Sequence, residues 1–201
     1  QKNDISCFGL LDGFIDLSIT GGTSPYSINW DNSSVTEDIY SLSEGGYSVS
    51  VTDFNNCLIS DSISIFQPTL LESSLDSVKS LDCFEDSSGY IAINSIGGVG
   101  VHSFIWLDDS STSSVRNNLS ADIYEVIVSD SNNCTESIAI AIHEPDEINI
   151  EYHVYPHLCY GDSSASIIID SVSGGVGNFS LLWGNSSVLD YVDNLFQDSL
   201  S

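Results

Sequence analysis

One stretch of the sequence occurs twice, first as Tyr47-Ser-Val-Ser-Val-Thr-Asp-Phe-Asn-Asn-Cys57 and again as Tyr124-Glu-Val-Ile-Val-Ser-Asp-Ser-Asn-Asn-Cys134. Each copy alternates apolar and polar residues and then enters Asp-x-Asn-Asn-Cys. Alternation with period two predicts a strand with one buried face and one solvated face. Asp and Asn side chains bond to nearby backbone amides and tolerate unusual backbone angles, so the polar cluster predicts a tight turn. The recurring unit is a half-buried strand, a polar turn and a cysteine.

Other landmarks follow the same period. They are the cysteines Cys7, Cys83 and Cys159, the Gly-Gly pairs that begin at Gly21, Gly97 and Gly174, and the tryptophans Trp30, Trp106 and Trp183. Their spacings are 76 or 77 residues. A fixed period of this size is typical of tandem modules. We therefore predict three segments, residues 1–68, 69–145 and 146–201, of which the third is incomplete.

Every segment shows the same local pattern. Short alternating runs are separated by Gly, Pro, Asn and Asp, and no run keeps a helical period. Strands at this spacing are typical of an all-β sandwich. The predicted fold is an elongated array of tandem Ig-like β-sandwich repeats of about 76 residues.

The composition restricts the partners. The sequence contains 29 Asp and Glu residues but only 3 Lys and Arg residues, which gives a formal net charge of -26. Nucleic acid and anionic lipid are therefore excluded as partners, because almost no cation is present to meet a phosphate. No apolar run reaches the length of a membrane span, so no membrane insertion is expected in this segment. The absence of methionine, including at position 1, favours a processed chain or an internal fragment.

The five cysteines are interpreted against the repeat. We expect Cys7 to pair with Cys57, and Cys83 with Cys134, each closing a loop of roughly fifty residues within one segment. Such a loop stabilises by about 3 to 4 kcal/mol on the chain-entropy model. Cys159 is left unpaired within the segment. Metal ligation and thiol chemistry remain as alternatives, and disulfides would imply an oxidising, extracellular compartment.

The aromatic landmarks are expected in the core. Trp30, Trp106 and Trp183 stand at the ends of strands, and Tyr47 and Tyr124 begin the repeated motif. A buried aromatic beside a disulfide is a usual solution in sandwiches. The alternative is a ladder of tryptophans that stacks on carbohydrate.

Calcium is the one candidate cofactor. The oxygens of Asp53, Asn55, Asp130 and Asn132 are of the kind that calcium takes, as are those of Asp12, Asp86 and Asp162. However, no EF-hand spacing is present, and turn chemistry explains the same residues without metal.

Two other kinds of site are not expected. His153, His157 and Cys159 superficially resemble a zinc cluster, but Pro156 interrupts the spacing and the alternation there is typical of a strand. The sequence has no nucleophile elbow, no Gly-rich phosphate loop and no His beside a Ser motif. We therefore predict that the protein is not an enzyme.

The ordered motifs resemble one family. They are Cys-(Phe/Tyr)-x-Asp-x-x-Gly, Gly-Gly-x-x-Pro-Tyr-x-x-x-Trp (Gly21, Gly22, Pro25, Tyr26, Trp30), Leu-x-x-Gly-x-Tyr (Leu42, Gly45, Tyr47), Val-x-Asp-x-Asn-x-Cys and a terminal Gln-Pro. This set resembles the SprB repeat of large Bacteroidetes surface adhesins, including the gliding-motility adhesin, which are exported by the type IX system. The second segment departs from it, with Val101-His102 in place of Pro-Tyr. The polycystic-kidney-disease-type module is a near neighbour.

The resemblance implies a secreted, non-enzymatic cell-surface adhesin or filament segment that acts as stalk or adhesive fibre. Its expected partners are an extracellular surface, a polysaccharide or other copies of the fibre, which would give a homo-oligomeric filament. Two alternatives stay open, an accessory carbohydrate-binding or spacer region of a secreted hydrolase and a calcium-dependent adhesion module.

Overall fold

The computed structural model describes residues 1–156, 158–159, 161 and 163–195, and all regular structure within these ranges is β-strand. The strands are β1 (Lys2–Asn3), β2 (Gly13–Ile15), β3 (Ser27–Trp30), β4 (Ile39–Leu42), β5 (Gly45–Thr52), β6 (Leu58–Ile65), β7 (Thr69–Lys79), β8 (Gly89–Gly98), β9 (Ser103–Trp106), β10 (Val115–Leu119), β11 (Asp122–Ser129), β12 (Thr135–Ile142), β13 (Asn149–Tyr155), β14 (Ala165–Ser173) and β15 (Tyr191–Leu195).

The strands pair in a recurring pattern. The first six form two three-stranded sheets, ordered β1-β2-β4 and β3-β5-β6, and the next six form β7-β8-β10 and β9-β11-β12. The sheet β13-β14-β15 repeats the first order. These orders match the A-B-E and C-F-G sheets of the immunoglobulin fold, with strand D missing. The predicted all-β, Ig-like sandwich fold is confirmed, whereas the number of tandem repeats stays a prediction.

One hydrophobic core lies between the first two sheets. Its buried members are Ile5, Ile15, Trp30, Ile39, Leu42, Val49, Val51 and Ile65. The alternation in β5 places Val49 and Val51 inward. Burying each such side chain contributes about 1.5 to 3 kcal/mol. The apolar positions that the repeated motif predicted therefore form the core.

The corresponding positions of residues 69–145 are also buried. They include Ile91, Ile93, Trp106, Leu119, Tyr124, Val126, Val128, Ile140 and Ile142. Among the described residues after 145, the buried hydrophobic side chains are Ala165 and Val192. The motif strand β11 has no counterpart there, because one repeat step carries its positions beyond residue 195.

A glycine at the start of two equivalent strands sets how closely their neighbours approach. Gly13 pairs with Leu42 across β2 and β4, and a Cβ at Gly13 would lie 2.9 Å from the Ile65 Cγ2 atom. A Cβ at Gly89 would lie 2.5 Å from the Leu119 carbonyl oxygen. The Gly that follows each of the first two acidic loops is thus required by packing.

By contacts, the chain divides into two compact units, one of Gln1–Asp76, Ala92–Ser114 and Tyr124–Ile140 and the other of Ser77–Ile91, Val115–Ile123 and Ala141–Ser201. The first unit combines residues 1–68 with one end of the next predicted segment. The segment boundaries near residues 68 and 145 stay a prediction.

Candidate functional site

The Asp-x-Asn-Asn-Cys motif folds into the same turn in both copies. In the β5–β6 hairpin, the Asp53 Oδ1 atom accepts hydrogen bonds from the amides of Asn55 (2.8 Å) and Cys57 (2.9 Å). The second oxygen accepts one from the Thr23 amide (3.0 Å), which follows the Gly-Gly pair. One carboxylate therefore holds both the hairpin turn and the neighbouring glycine loop.

Asp130 repeats this arrangement between β11 and β12. Its Oδ1 atom accepts from the amides of Asn132 (2.8 Å) and Cys134 (2.9 Å), and its Oδ2 atom accepts from the Val99 amide (2.8 Å). The approach is close, since a Cβ at Gly98 would lie 2.7 Å from that oxygen. The Gly-Gly pair supplies the left-handed backbone that lets the loop reach the carboxylate.

Both carboxylates are stabilised in their charged form. Hydrogen bonds from the amides of Cys57, Thr23 and Asn55 lower the pKa of Asp53 below its ordinary value. Burial raises the pKa of Asp130, which is only 4% exposed, but the amides around it outweigh burial and lower the pKa overall. Accepted hydrogen bonds favour the ionised carboxyl, so these are structural anions.

The predicted calcium ligands therefore have structural partners. Besides the Asp53 and Asp130 contacts, the Asn55 Nδ2 atom donates to the Thr23 Oγ1 atom (2.9 Å) and the Asn132 Nδ2 atom to the Ser6 carbonyl oxygen (2.8 Å). No group of three or more His, Cys, Asp or Glu able to hold a metal occurs among the described residues. Calcium binding stays a prediction.

The loops that carry the first cysteine of each segment are also equivalent. In residues 1–68, the Ile5 amide donates to the Phe66 carbonyl oxygen (2.9 Å) and the Gly9 amide to the Gln67 Oε1 atom (2.9 Å). These contacts fasten the Cys7 loop beside the far end of β6. The Asp12 carboxylate closes the loop, accepting from the Ser6 amide (3.1 Å) and the Ser6 hydroxyl.

The Cys83 loop has the same two anchors. The Leu81 amide donates to the His143 carbonyl oxygen (2.9 Å) and the Glu85 amide to the Glu144 Oε2 atom (2.9 Å). Glu144 takes the place of Gln67 in the repeat. Cys83 therefore occupies the same kind of loop as Cys7, beside the end of a strand and away from the hairpin turn.

Cys7 forms a disulfide with Cys134, across a sequence separation of 127 residues and with a Cα–Cα distance of 5.7 Å. The contact is reinforced by the Ser6 carbonyl oxygen, which accepts a hydrogen bond from the Asn132 Nδ2 atom. The disulfide thus joins the first-cysteine loop of one predicted segment to the hairpin turn of the next. We call this contact the junction staple.

The predicted pairings Cys7–Cys57 and Cys83–Cys134 are wrong. Cys57, Cys83 and Cys159 are free thiols. Only Cys159 was predicted to be unpaired. The reason is geometric. Cys7 lies beside the last residue of β6 and Cys57 precedes its first residue, so eight residues of strand, about 25 Å, separate them. A disulfide requires Cα atoms closer than about 7 Å, and Cys134 is already bonded to Cys7.

Two of the tryptophans are core residues, as predicted. Trp30 and Trp106 are 2% and 0% exposed, and each indole N–H donates to a loop carbonyl, of Thr36 (2.9 Å) and Ser113 (2.8 Å) respectively. Their burial excludes stacking on carbohydrate at these two positions. Tyr124 is also buried.

Trp183 is only half-buried, which corrects its assignment to the core, whereas Tyr47 is half-buried and packs against the first core as predicted. The Trp183 indole keeps the equivalent hydrogen bond, to the Leu189 carbonyl oxygen (2.8 Å). However, an open apolar cleft of about 660 Å³ lies beside it, lined in part by Ile150, Tyr152 and Ile167. The strand that pairs with β3 beside Trp30, β5, has no counterpart among the residues described there, so Trp183 lacks that neighbouring strand.

Tyr47 also makes a hydrogen bond that the sequence analysis did not predict. Its hydroxyl donates to the Ser43 carbonyl oxygen (3.0 Å), four residues upstream. A Tyr at the start of strand F that bonds back to the preceding corner is a hallmark of Ig sandwiches. In the sequence, the spacing of Leu42, Gly45 and Tyr47 was the feature from which this tyrosine corner could have been predicted.

The zinc interpretation has no support among the described residues. The His153 Nδ1 atom contacts the Asp170 Oδ2 atom. Cys159 is exposed. His157 lies outside the described residues, as does Asp162.

These features define a class, an Ig-type β-sandwich module with a tyrosine corner and a buried tryptophan on strand C. Within that class, the family model of the SprB repeat matches residues 1–35. The resemblance drawn from the sequence motifs is thereby confirmed over that stretch.

Two solved structures align with most of the chain. One holds the N-terminal eight Ig domains of Down Syndrome Cell Adhesion Molecule (12% identity, TM-score 0.31, covering 85% of this chain and 32% of that one). The other is Dpr2 Ig1-Ig2 in complex with DIP-Theta Ig1-Ig3 (11% identity, TM-score 0.28, covering 84% and 72%). This chain spans about a third of the length of the Down Syndrome Cell Adhesion Molecule structure. No curated protein matches. Within the described ranges, no helix has the length and hydrophobicity needed to cross a membrane.

Proposed function

We propose that this chain is a non-enzymatic segment of a cell-surface adhesin or surface filament, exposed outside the cell and acting as stalk or adhesive fibre. The observation that carries the proposal is the junction staple. A disulfide between Cys7 and Cys134 joins what the sequence presents as consecutive modules, and such cross-links persist in oxidising, extracellular compartments.

The staple suits a chain under tension. A pull applied at the two ends of the chain passes through the disulfide, so residues between Cys7 and Cys134 are not extended while it is intact. The 127 residues of separation correspond to about 440 Å of extended chain at about 3.5 Å per residue. A fibre with this device keeps its length when a module unfolds.

The net charge of -26 supports the same role. Charge far from zero keeps neighbouring copies soluble and apart. The few cations of the described residues are engaged locally, such as Lys2 with Asp4 and Lys79 with Asp82. The surface therefore suits an exposed spacer better than a nucleic-acid or anionic-lipid contact.

Surface exposure tests the proposal directly. Antibodies raised against the chain are applied to intact cells that produce it, and the producing strain is compared with one lacking the segment in an attachment assay. We expect labelling of intact cells and reduced attachment without the segment. Labelling only after permeabilisation, together with unchanged attachment, would refute the proposal.

A further inference from the structure

We infer that a polar cleft beside the junction staple binds a neutral saccharide, and that the disulfide between Cys7 and Cys134 holds the two walls of this cleft together. The inference deepens the proposed function, because it names the chemistry of a partner for an adhesive fibre, and it rests on that function for the place where such a partner is met.

The cleft lies within the first of the two compact units. Its volume is about 710 Å³, within the range of about 300 to 1,000 Å³ that is usual for small-molecule sites. We call it the junction cleft. Its lining residues include Asn3, Asp4, Ser6, Phe66, Asn132 and Asn133.

Each wall of the junction cleft is fixed by its own hydrogen bonds. In the first wall, the Ile5 amide donates to the Phe66 carbonyl oxygen (2.9 Å), and the Phe66 amide donates to the Asp4 Oδ1 atom (2.9 Å). In the second wall, the Ser131 amide donates to the Val99 carbonyl oxygen (2.9 Å). The first wall therefore belongs to the residues around β1 and the end of β6, and the second to the turn between β11 and β12.

The two walls meet at the junction staple. Cys7 follows the first wall in the chain, Cys134 follows the second, and the disulfide joins them. Beside it, the Asn132 Nδ2 atom donates to the Ser6 carbonyl oxygen (2.8 Å). The width of the junction cleft therefore depends on the disulfide, and a ligand that touches both walls should require it.

The junction cleft is nearly free of charge. Among the described residues that line it, Asp4 is the one charged side chain, although the sequence contains 29 Asp and Glu residues. The Asp4 carboxylate is compensated by Lys2, whose Nζ atom lies 2.8 Å from the Asp4 Oδ1 atom. An anionic ligand would meet no unpaired cation on this lining, and a cationic ligand no unpaired carboxylate. The lining therefore suits a neutral polar ligand.

The polar groups available to a ligand are side-chain amides. Asn3 and Asn133 are exposed, and neither side chain has a hydrogen-bond partner among the described residues. An amide side chain carries both donors and an acceptor. A sugar hydroxyl also donates and accepts, so these amides match the hydroxyls at the edge of a sugar ring.

Phe66 supplies an apolar surface next to these amides. It is 59% exposed even though the Lys2 ammonium lies over its ring, 4.6 Å from the centroid. A sugar ring presents C–H groups on its faces and hydroxyls around its edge. Such a ring can pack on an aromatic side chain while the amides bind its hydroxyls, which is the combination that the junction cleft offers.

A peptide is the other neutral polar ligand to consider, but the walls offer it no strand edge. Extended peptides bind through a row of free backbone groups. The amides that border the junction cleft already donate within their own loops, namely those of Ile5, Ser6, Phe66, Ser131, Asn132 and Asn133. Recognition here must therefore come from side chains, which favours a saccharide.

The test uses the whole oxidised chain. It is applied to an array of neutral oligosaccharides built from glucose, galactose, mannose and N-acetylglucosamine, with polygalacturonate as the anionic probe. NMR titration with the oligosaccharide that gives the strongest signal then measures the Kd. We expect at least one neutral oligosaccharide to bind in the millimolar range or more tightly, and polygalacturonate not to bind.

Variants locate the ligand. Phe66→Ala removes the aromatic surface and Asn3→Ala removes one amide, and both keep the disulfide. We expect each to weaken binding by about tenfold. Phe54→Ala is the matched control, because Phe54 is 68% exposed and does not line the junction cleft, and it should leave the Kd unchanged. Replacing Cys7 and Cys134 together by serine should abolish binding.

Several results would overturn the inference. If no neutral oligosaccharide binds, the inference fails while surface labelling and attachment still test the proposed function separately. Binding that Phe66→Ala and Asn3→Ala leave unchanged overturns it, as does binding that survives in the double serine variant. If that variant unfolds, as judged by tryptophan fluorescence, the two variants that keep the disulfide decide. Equal binding of polygalacturonate overturns the assignment to a neutral ligand.

Discussion

Replacing Asp130 by asparagine perturbs the carboxylate that joins the hairpin turn to the glycine loop. The amide oxygen can keep the bonds from Asn132 and Cys134, but the amide nitrogen then faces the Val99 N–H, which lies 2.8 Å from the carboxylate in the native chain. One charge-assisted hydrogen bond is lost, at about 1.5 to 3 kcal/mol, and a shielded N–H is left unpaired, at about 1 to 3 kcal/mol. We expect Asp130→Asn to lower the free energy of unfolding by about 2.5 to 6 kcal/mol.

The assay is urea unfolding followed by tryptophan fluorescence, in which Trp106 reports on this region because it pairs with Val126 of β11. Glu37→Gln, at an exposed carboxylate, is the matched control and should change the free energy by less than about 0.5 kcal/mol. Asp53→Asn should destabilise in the same direction but less, because Asp53 is only half-buried. Equal midpoints for Asp130→Asn and Glu37→Gln would refute the anchoring role.

The stabilisation that Asp130 provides should also depend on pH. Because the folded pKa of Asp130 is lowered, the stabilisation is fully present above the unfolded value of about 3.9. It is lost as the pH falls from about 5 through the folded pKa. The difference in stability between the native chain and Asp130→Asn should therefore shrink from pH 7 to pH 3. A difference that is constant or grows over this range would contradict the assignment.

Three further predictions follow from the packing. Gly89→Ala should destabilise the fold by about 1 to 3 kcal/mol, because its Cβ would lie 2.5 Å from the Leu119 carbonyl oxygen. The control Gly46→Ala, with open space around its Cβ, should be near neutral. Equal thermal midpoints for the two variants would refute the close approach. Trp106→Ala should cost about 3 to 5 kcal/mol and Trp183→Ala clearly less, as measured by denaturant unfolding, and the reverse order would contradict the burial difference. Calcium and a chelator should give the same melting midpoint, because amides already occupy the turn carboxylates; a large rise with calcium would show a metal role.

The periodic part of the fold was predictable because alternation records which face of a strand is buried. Val49 and Val51, Trp30 and Trp106 are inward as the pattern indicates. The Asp-x-Asn-Asn turn was also predictable, since Asp53 bonds to amides only two and four residues ahead. These are local consequences of side-chain chemistry, and a single sequence contains them.

The disulfide partner was not predictable in the same way. A period of 76 residues is compatible with bonds within a segment and with bonds between segments, and the choice depends on which end of a strand each cysteine occupies. Cys57 precedes β6, and Cys7 is held beside its far end through Gln67. That placement arises from the Gly9 backbone contact, which no spacing in the sequence records. The exposure of Trp183 was missed for another reason, since the described residues around it include no counterpart of β5 or β11, the strands that pair beside Trp30 and Trp106.

The most direct measurement of the central claim is a tryptic map of the native chain without reduction, after free thiols are blocked. Cleavage at Lys2, Lys79 and Arg116 yields fragments 3–79, 80–116 and 117–201. The junction staple predicts that 3–79 is linked to 117–201 through Cys7 and Cys134, and that 80–116 is released with a blocked thiol. Release of 3–79 with an internal disulfide, together with 80–116 linked to 117–201, would show bonds within segments and would contradict the account.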